Sequence, residues 1–140
     1  RSRPVSALKL HILHHTDPFV IASLPPSSAV DWDRSGSVLF SVTHSTTETS
    51  VICHEAAVPD GTRTEGPFHV FEVAGPLDFT QVGVLAGLIV PLAAKGITIL
   101  TTSTYETDWI LVPAGRADEA EKAWRREGFL VTPPVLGSVG

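Results

Sequence analysis

The chain has 140 residues, enough for one ordinary domain or for two very small ones sharing a core. With 43% hydrophobic and 18% charged residues it folds rather than staying disordered. A net charge of -5, with the basic residues scattered apart from Arg125-Arg126, argues against a nucleic-acid surface. In chain order, residues 8–13 alternate apolar and polar side chains as a half-buried strand does, and Asp17-Pro18 is expected to break that strand. Residues 19–24 form a second strand, stopped by Pro25-Pro26. Residues 27–36 are polar and irregular, with room for at most a short helix. Residues 38–42 and 49–54 read as a hairpin, and 58–66 as a loop bordering two halves.

The second half has clearer signals. Residues 68–73 form a strand ended by Gly75-Pro76. A helix is expected over 79–95, with Asp78 as N-cap, Gln81 in a capping box and Gly96 as left-handed C-cap. Pro91 lies inside it and predicts a kink. This helix is apolar almost all round, so one side should cover a sheet and the other needs a second layer from the other half or from a partner chain. Residues 97–102 and 108–112 form a second hairpin. Residues 117–127 form an amphipathic helix with Ala120, Ala123 and Trp124 inward and Asp118/Lys122 and Glu121/Arg125 outward at i,i+4 spacing. Gly128 ends this helix before a final strand at 129–131. The order β-α-β-β-α-β is that of a ferredoxin-like unit.

The two hairpins are related in sequence. Ser45-Thr46-Thr47-Glu48-Thr49-Ser50-Val51-Ile52 recurs as Ser103-Thr104-Tyr105-Glu106-Thr107-Asp108-Trp109-Ile110, 58 positions on. The repeat predicts two related halves with a strand–turn–strand unit at the same place. Only the second copy carries Tyr105 and Asp108, and Ser50 stands where the second copy has Asp108. Any ligand site is therefore expected in the second half.

Several chemistries find little support. The single cysteine, Cys53, excludes an intrachain disulfide framework, reads as a buried structural thiol and fits a cytosolic compartment. The apolar run 82–94 is too short to span a bilayer and is interrupted by Gly87 and Pro91. Six histidines invite a metal reading, but no pair among His11, His14, His15 and His54 has closed-site spacing with Cys53, and no CxxC exists; surface and turn histidines are the simpler account. No metal and no cofactor is expected. Cys53 and His54 are strand neighbours pointing to opposite faces, and no nucleophile elbow, dinucleotide fingerprint or P-loop occurs. Glu106 and Asp108 would serve as acid and base only if both faced a cleft.

A better constellation is the segment 75–84 with the second hairpin turn. A buried helix start offers unpaired N–H groups and partial positive charge to a carboxylate. Gly83 either lets a ligand approach the backbone or, with Gly87, allows tight helix packing. Strand 68–73 should pair with 108–112, bringing Asp108 toward the helix start. Together these supply donors for a carboxylate and an acid for a cation, and an α-amino acid carries both.

The stretches Gly75-Pro76-Leu77-Asp78-Phe79, Gly83-Val84-Leu85-Ala86, Pro91-Leu92-Ala93, Gly96-Ile97-Thr98-Ile99 and Ser103-Thr104-Tyr105-Glu106-Thr107-Asp108-Trp109-Ile110-Leu111-Val112 resemble the ACT domains of small tandem-ACT proteins. They are similar to halves of the CASTOR-type cytosolic arginine sensors and, more remotely, to the regulatory domains of aspartate kinases. Leu8 to Leu13, Phe40 to Thr43 and Glu48 to Ile52 match as well, so the resemblance spans nearly the whole chain. It implies an α+β fold of two ferredoxin-like ACT units in tandem, 1–66 (degenerate) and 67–140, with antiparallel sheets and helices on one face. It also implies a cytoplasmic, non-catalytic regulatory module, a homodimer binding a free amino acid between ACT units and acting on a partner protein. Carried over, helix-start contacts fall on Gln81, Val82, Gly83 and Val84, turn and strand contacts on Thr104, Tyr105, Thr107 and Asp108, and the partner unit presents Thr98 and Ile99. Gln81 departs from the acid of the arginine sensors, which removes one attraction for a guanidinium. Arginine or another polar amino acid remains compatible through Asp108. The alternative is a ligand-free dimerisation or protein-interaction scaffold.

Overall fold

The computed structural model describes residues 10–74 and 83–134. Among these residues, seven strands and two α-helices follow in the order β1 (His11–Leu24), β2 (Ser41–His44), β3 (Thr49–His54), β4 (Arg63–Val73), α1 (Val84–Ala94), β5 (Leu100–Ser103), β6 (Asp108–Pro113), α2 (Ala117–Arg126) and β7 (Leu130–Thr132). The chain divides into two compact units, one built from residues up to Thr16 and from His69 onward, the other from Asp17–Phe68. The long strands β1 and β4 each contribute one end to each unit.

In the helix-bearing unit the strand order is β7-β1-β4-β6-β5. Strands β5 and β6 pair antiparallel, from Leu100↔Leu111 to Ser103↔Asp108, whereas β7 runs parallel to β1 through His11↔Leu130, Ile12↔Val131 and Leu13↔Thr132. Strands β4 and β6 are neighbours, as the sequence predicts. The expected βαββαβ chain order forms from β4 to β7, but this unit is not self-contained, because β1 sits between β4 and β7. Ile12 of β1 is fully buried and takes an inner position that the three-residue β7 cannot fill alone.

Both helices pack on one face of this sheet. Leu88 and Leu92 of α1 and Ala120 and Trp124 of α2 meet Ile12, Phe71, Val73, Ile110 and Val112 in one core. The Trp124 ring stands edge-on to Phe71, and its Nε1 donates to the Leu88 carbonyl at 2.8 Å. Each helix ends as the glycine signals predict. Gly96 (φ +70°) and Gly128 (φ +94°) adopt left-handed conformations, and Ile97 N–H reaches back to Leu92 O (3.0 Å) as Phe129 N–H does to Trp124 O (3.1 Å). Acids in the first turn of α2 and Arg125 and Arg126 in its last complement the helix dipole, and the Glu121–Arg125 pair closes at 3.2 Å.

Helix α1 begins later than expected. Gly83 has φ +85°, a left-handed residue at the N-cap, so the helix cannot run through it from residue 79. Asp78 and Gln81, read as cap and capping box, lie outside the described residues. Val84, Leu88 and Leu92 are buried, one residue per turn, but the opposite side of α1 is open: Val90 is 62% exposed, with Ala86, Ala93 and Ala94 also exposed.

In the other unit, which has no α-helix among the described residues, the strand order is β2-β3-β1-β4. Val20, Ala22, Val51 and Cys53 form its core, against which Val30, Trp32 and Phe40 pack from the irregular segment before β2. That segment does the covering that a helix would otherwise do; Pro25-Pro26 and the polar residues after them have no helical period. Burial pushes the Cys53 thiol up to about 11. A thiol reagent at pH 8 should therefore leave native Cys53 unlabelled and modify it fully in urea; rapid labelling of the native protein would contradict this burial.

Strand boundaries differ from expectation as well. Strand β1 runs straight through Asp17-Pro18. Its ladder with β7 stops at Leu13 and that with β3 starts at Phe19, so Pro18, lacking an N–H, interrupts neither. The expected loop 58–66 is partly strand, since β4 begins at Arg63 and contains a cis Gly66-Pro67 bond. Gly66 (φ +142°) brings β4 close to β1: a Cβ there would lie 2.9 Å from the Phe19 carbonyl oxygen.

The repeated hairpins both form, with a shift. Thr49, Val51 and Cys53 are buried along β3, and their sequence counterparts Thr107, Trp109 and Leu111 are buried as well. The partner strands differ: Val42 faces Val51, whereas Thr102 rather than Leu100 faces Trp109. A slip of two residues keeps every side chain on its face, where a slip of one would invert the pattern. Both loops have four residues and the same closing bond, Ser45 N–H to Glu48 O and Thr104 N–H to Thr107 O, each 2.9 Å.

Candidate functional site

The second hairpin loop is held by its own side chains. Thr104 Oγ1 donates to the Thr107 carbonyl (3.2 Å) and accepts from Trp109 Nε1 (3.0 Å). Thr107, nearly buried, donates its hydroxyl to the Val73 carbonyl at 2.6 Å. This bond fixes the loop to the end of β4, from which the chain continues toward Gly83. Asp108 is half-buried and accepts from Ser103 Oγ at 2.6 Å through Oδ1, with no other hydrogen bond or ion pair among the described residues. Tyr105 projects at the loop tip, 82% exposed.

The other expected site residues are spread between core and surface. Gln81 and Val82 lie outside the described residues. Gly83 occupies the N-cap of α1, and its carbonyl accepts from Gly87 N–H at 3.0 Å. Val84 begins the helix with its side chain in the core. Thr98 is exposed and Ile99 packs at the core margin. Beside α1 a shallow groove of about 500 Å³ is lined by Ala86, Val90, Pro91 and Ala94, with Phe129.

His44 is exposed beside the first hairpin loop, as the sequence suggests, but His14 is neither a surface nor a turn residue. His14 is 6% exposed, stacked on Phe71 with ring centroids 4.2 Å apart. Its Nδ1 lies 2.5 Å from Glu121 Oε2 and its Nε2 2.8 Å from His69 Nδ1. His15 pairs with Glu72 at 2.9 Å. Among the described residues no three His, Cys, Asp or Glu side chains converge to hold a metal ion. One signal for His14 was available: it shares the strand face of the core residue Ile12. Its partners, 55 and 107 positions away, left no local trace.

Known proteins share this architecture. Residues 63–126 match the ACT domain family model. That stretch runs from β4 through α2, so it contains both helices and the second hairpin. In solved structures the chain is similar to a protein of Agobacterium tumefaciens (TM-score 0.82, 24% identity, 91% of this chain and 95% of that one). It is also similar to a Vibrio cholerae protein described as of unknown function and a possible transport protein (0.69, 14%, 88% and 91%). A third likeness is to the regulatory subunit of aspartate kinase from Thermus thermophilus in its ligand-free form (0.59, 11%, 83% and 96%). These likenesses share the fold. No curated protein matches the chain. Among the described residues no helix is long and apolar enough to cross a membrane.

Proposed function

We propose that this chain is a cytoplasmic, non-catalytic regulatory module, a homodimer that binds a free amino acid where two ACT units meet and signals by altered association or partner binding. The ligand is arginine or another polar amino acid. Residues 1–66 and 67–140 are its two related halves. The observation that carries this reading is Asp108: a half-buried carboxylate, aligned by Ser103, on a loop that Thr107 ties to the end of β4. Within an ACT stretch, that acid suits the ammonium or a cationic side chain, and the N–H groups of Gln81 to Val84 suit the carboxylate. Thr104 and Tyr105 complete one side, and Thr98 and Ile99 of the partner unit the other. The open apolar side of α1 favours a second copy as the missing layer and also supports the alternative, a ligand-free dimerisation or interaction scaffold.

A thermal-shift series with each of the twenty amino acids at millimolar concentration tests the reading. A ligand at 100 times its Kd stabilises by about 2.7 kcal/mol, several degrees for a domain of this size. Asp108→Ala should abolish the shift and keep the fold. Silence for all twenty ligands, with a dimer in sedimentation, would leave the scaffold.

A further inference from the structure

We propose that His69, His14 and Glu121 form a proton-limited latch, which holds α2 against β1 and β4 and releases it when a second proton enters the histidine pair. The latch is independent of any amino-acid ligand.

The contacts restrict where protons can sit. An ionised Glu121 only accepts, so His14 Nδ1 carries the hydrogen shared with Glu121 Oε2. The 2.8 Å gap between His14 Nε2 and His69 Nδ1 then holds one proton. It belongs either to His69, with both rings neutral, or to His14, which becomes a cation donating to neutral His69. Both fillings satisfy every contact. A second proton sets N–H against N–H and two positive rings with centroids 5.0 Å apart. The His14–His69 bond must then break.

The surroundings reinforce this limit. From β4, His69 and the stacked Phe71 face His14. From α2, Glu121 faces His14, Asp118 acts on His69, and Trp124 covers Phe71. Arg125 holds the other oxygen of Glu121 and also donates to the Val131 carbonyl at 2.8 Å, so the carboxylate is kept in place. Burial first, then the neighbouring His14, lowers the affinity of His69 for a proton, and Asp118 offsets this in part. His15 is committed to Glu72.

The sign follows from linkage. His69 binds its proton less readily in the folded chain than in the unfolded one. Its contribution to stability is complete above the ordinary histidine pKa of about 6.5 and is lost as pH falls from there toward the lowered folded value. One extra proton on the unfolded chain weakens folding by about tenfold per pH unit in that window.

Urea unfolding of wild type and His69→Gln between pH 7.5 and 5.0 tests the latch. Glutamine keeps a hydrogen-bonding amide but does not titrate. The wild-type folding constant should fall measurably further than that of the variant across this range; parallel curves would overturn the proposal. Imidazole nitrogen NMR of wild type keeps the question open to refutation if the variant fails to fold. His69 should take up its proton as exchange protection of the α2 amides falls. Protonation of His69 with pH-insensitive α2 protection would overturn it as well.

Discussion

Trp124→Ala should destabilise the protein by about 3–5 kcal/mol, the usual cost of removing a buried aromatic side chain without filling the space. Trp124 is fully buried and central to the core that joins α2 to α1 and to the sheet. Its removal opens a cavity between Leu88 and Phe71 and deletes the bond to the Leu88 carbonyl. A small domain has only about 5–15 kcal/mol in hand, so much of its stability would go. Trp124→Phe separates the contributions: most of the ring stays, and the lost hydrogen bond costs about 1 kcal/mol beyond any repacking. Both variants are read by urea denaturation at pH 7.5. A cost below about 1 kcal/mol for the alanine variant would be incompatible with Trp124 as the centre of the core.

Gly66→Ala should cost about 2–4 kcal/mol, from two sources that a control can separate. The first is backbone strain, since φ +142° is a region that L side chains rarely enter. The second is contact with Phe19 O at 2.9 Å and Val20 Cγ1 at 3.2 Å. The carbonyl belongs to the backbone of β1 and cannot rotate away, so the strands themselves must part. Gly61 (φ +86°) has nothing within 4 Å of the point where an added Cβ would stand, so Gly61→Ala carries the conformational cost alone, about 1 kcal/mol. Equal urea midpoints for the two variants would show that β4 approaches β1 less closely than this contact requires.

The candidate site divides along a similar line between local and distant contacts. The turn around Thr104 to Asp108 is built from partners within five residues, Ser103 to Asp108 and Thr104 to Trp109, and the repeat made it visible. The anchor of that turn, Thr107 to Val73, spans 34 positions and follows only from β4 and β6 being neighbours. The expected helix start moved to Gly83 because a left-handed residue ends the helical path, and apolar periodicity carries no information about φ. Of the His14 chain only the inward face of His14 could be read, from Ile12 two residues before it, because hydrogen-bond partners on β4 and α2 impose no spacing on the residues around His14.

Local order in this protein was determined by the sequence itself. The alternation in β3 fixes Thr49, Val51 and Cys53 as the inward face, the 3.6-residue period of α2 points Ala120, Ala123 and Trp124 inward, and Gly96 and Gly128 stop both helices because they tolerate left-handed backbone. Tertiary structure decided which strands pair. It carried β1 through Asp17-Pro18, placed it between β4 and β7, slipped the second hairpin by two residues and buried His14 against Glu121. Periodicity records which face of an element is apolar, whereas strand partners are chosen by burial and hydrogen bonding summed over residues far apart in the chain.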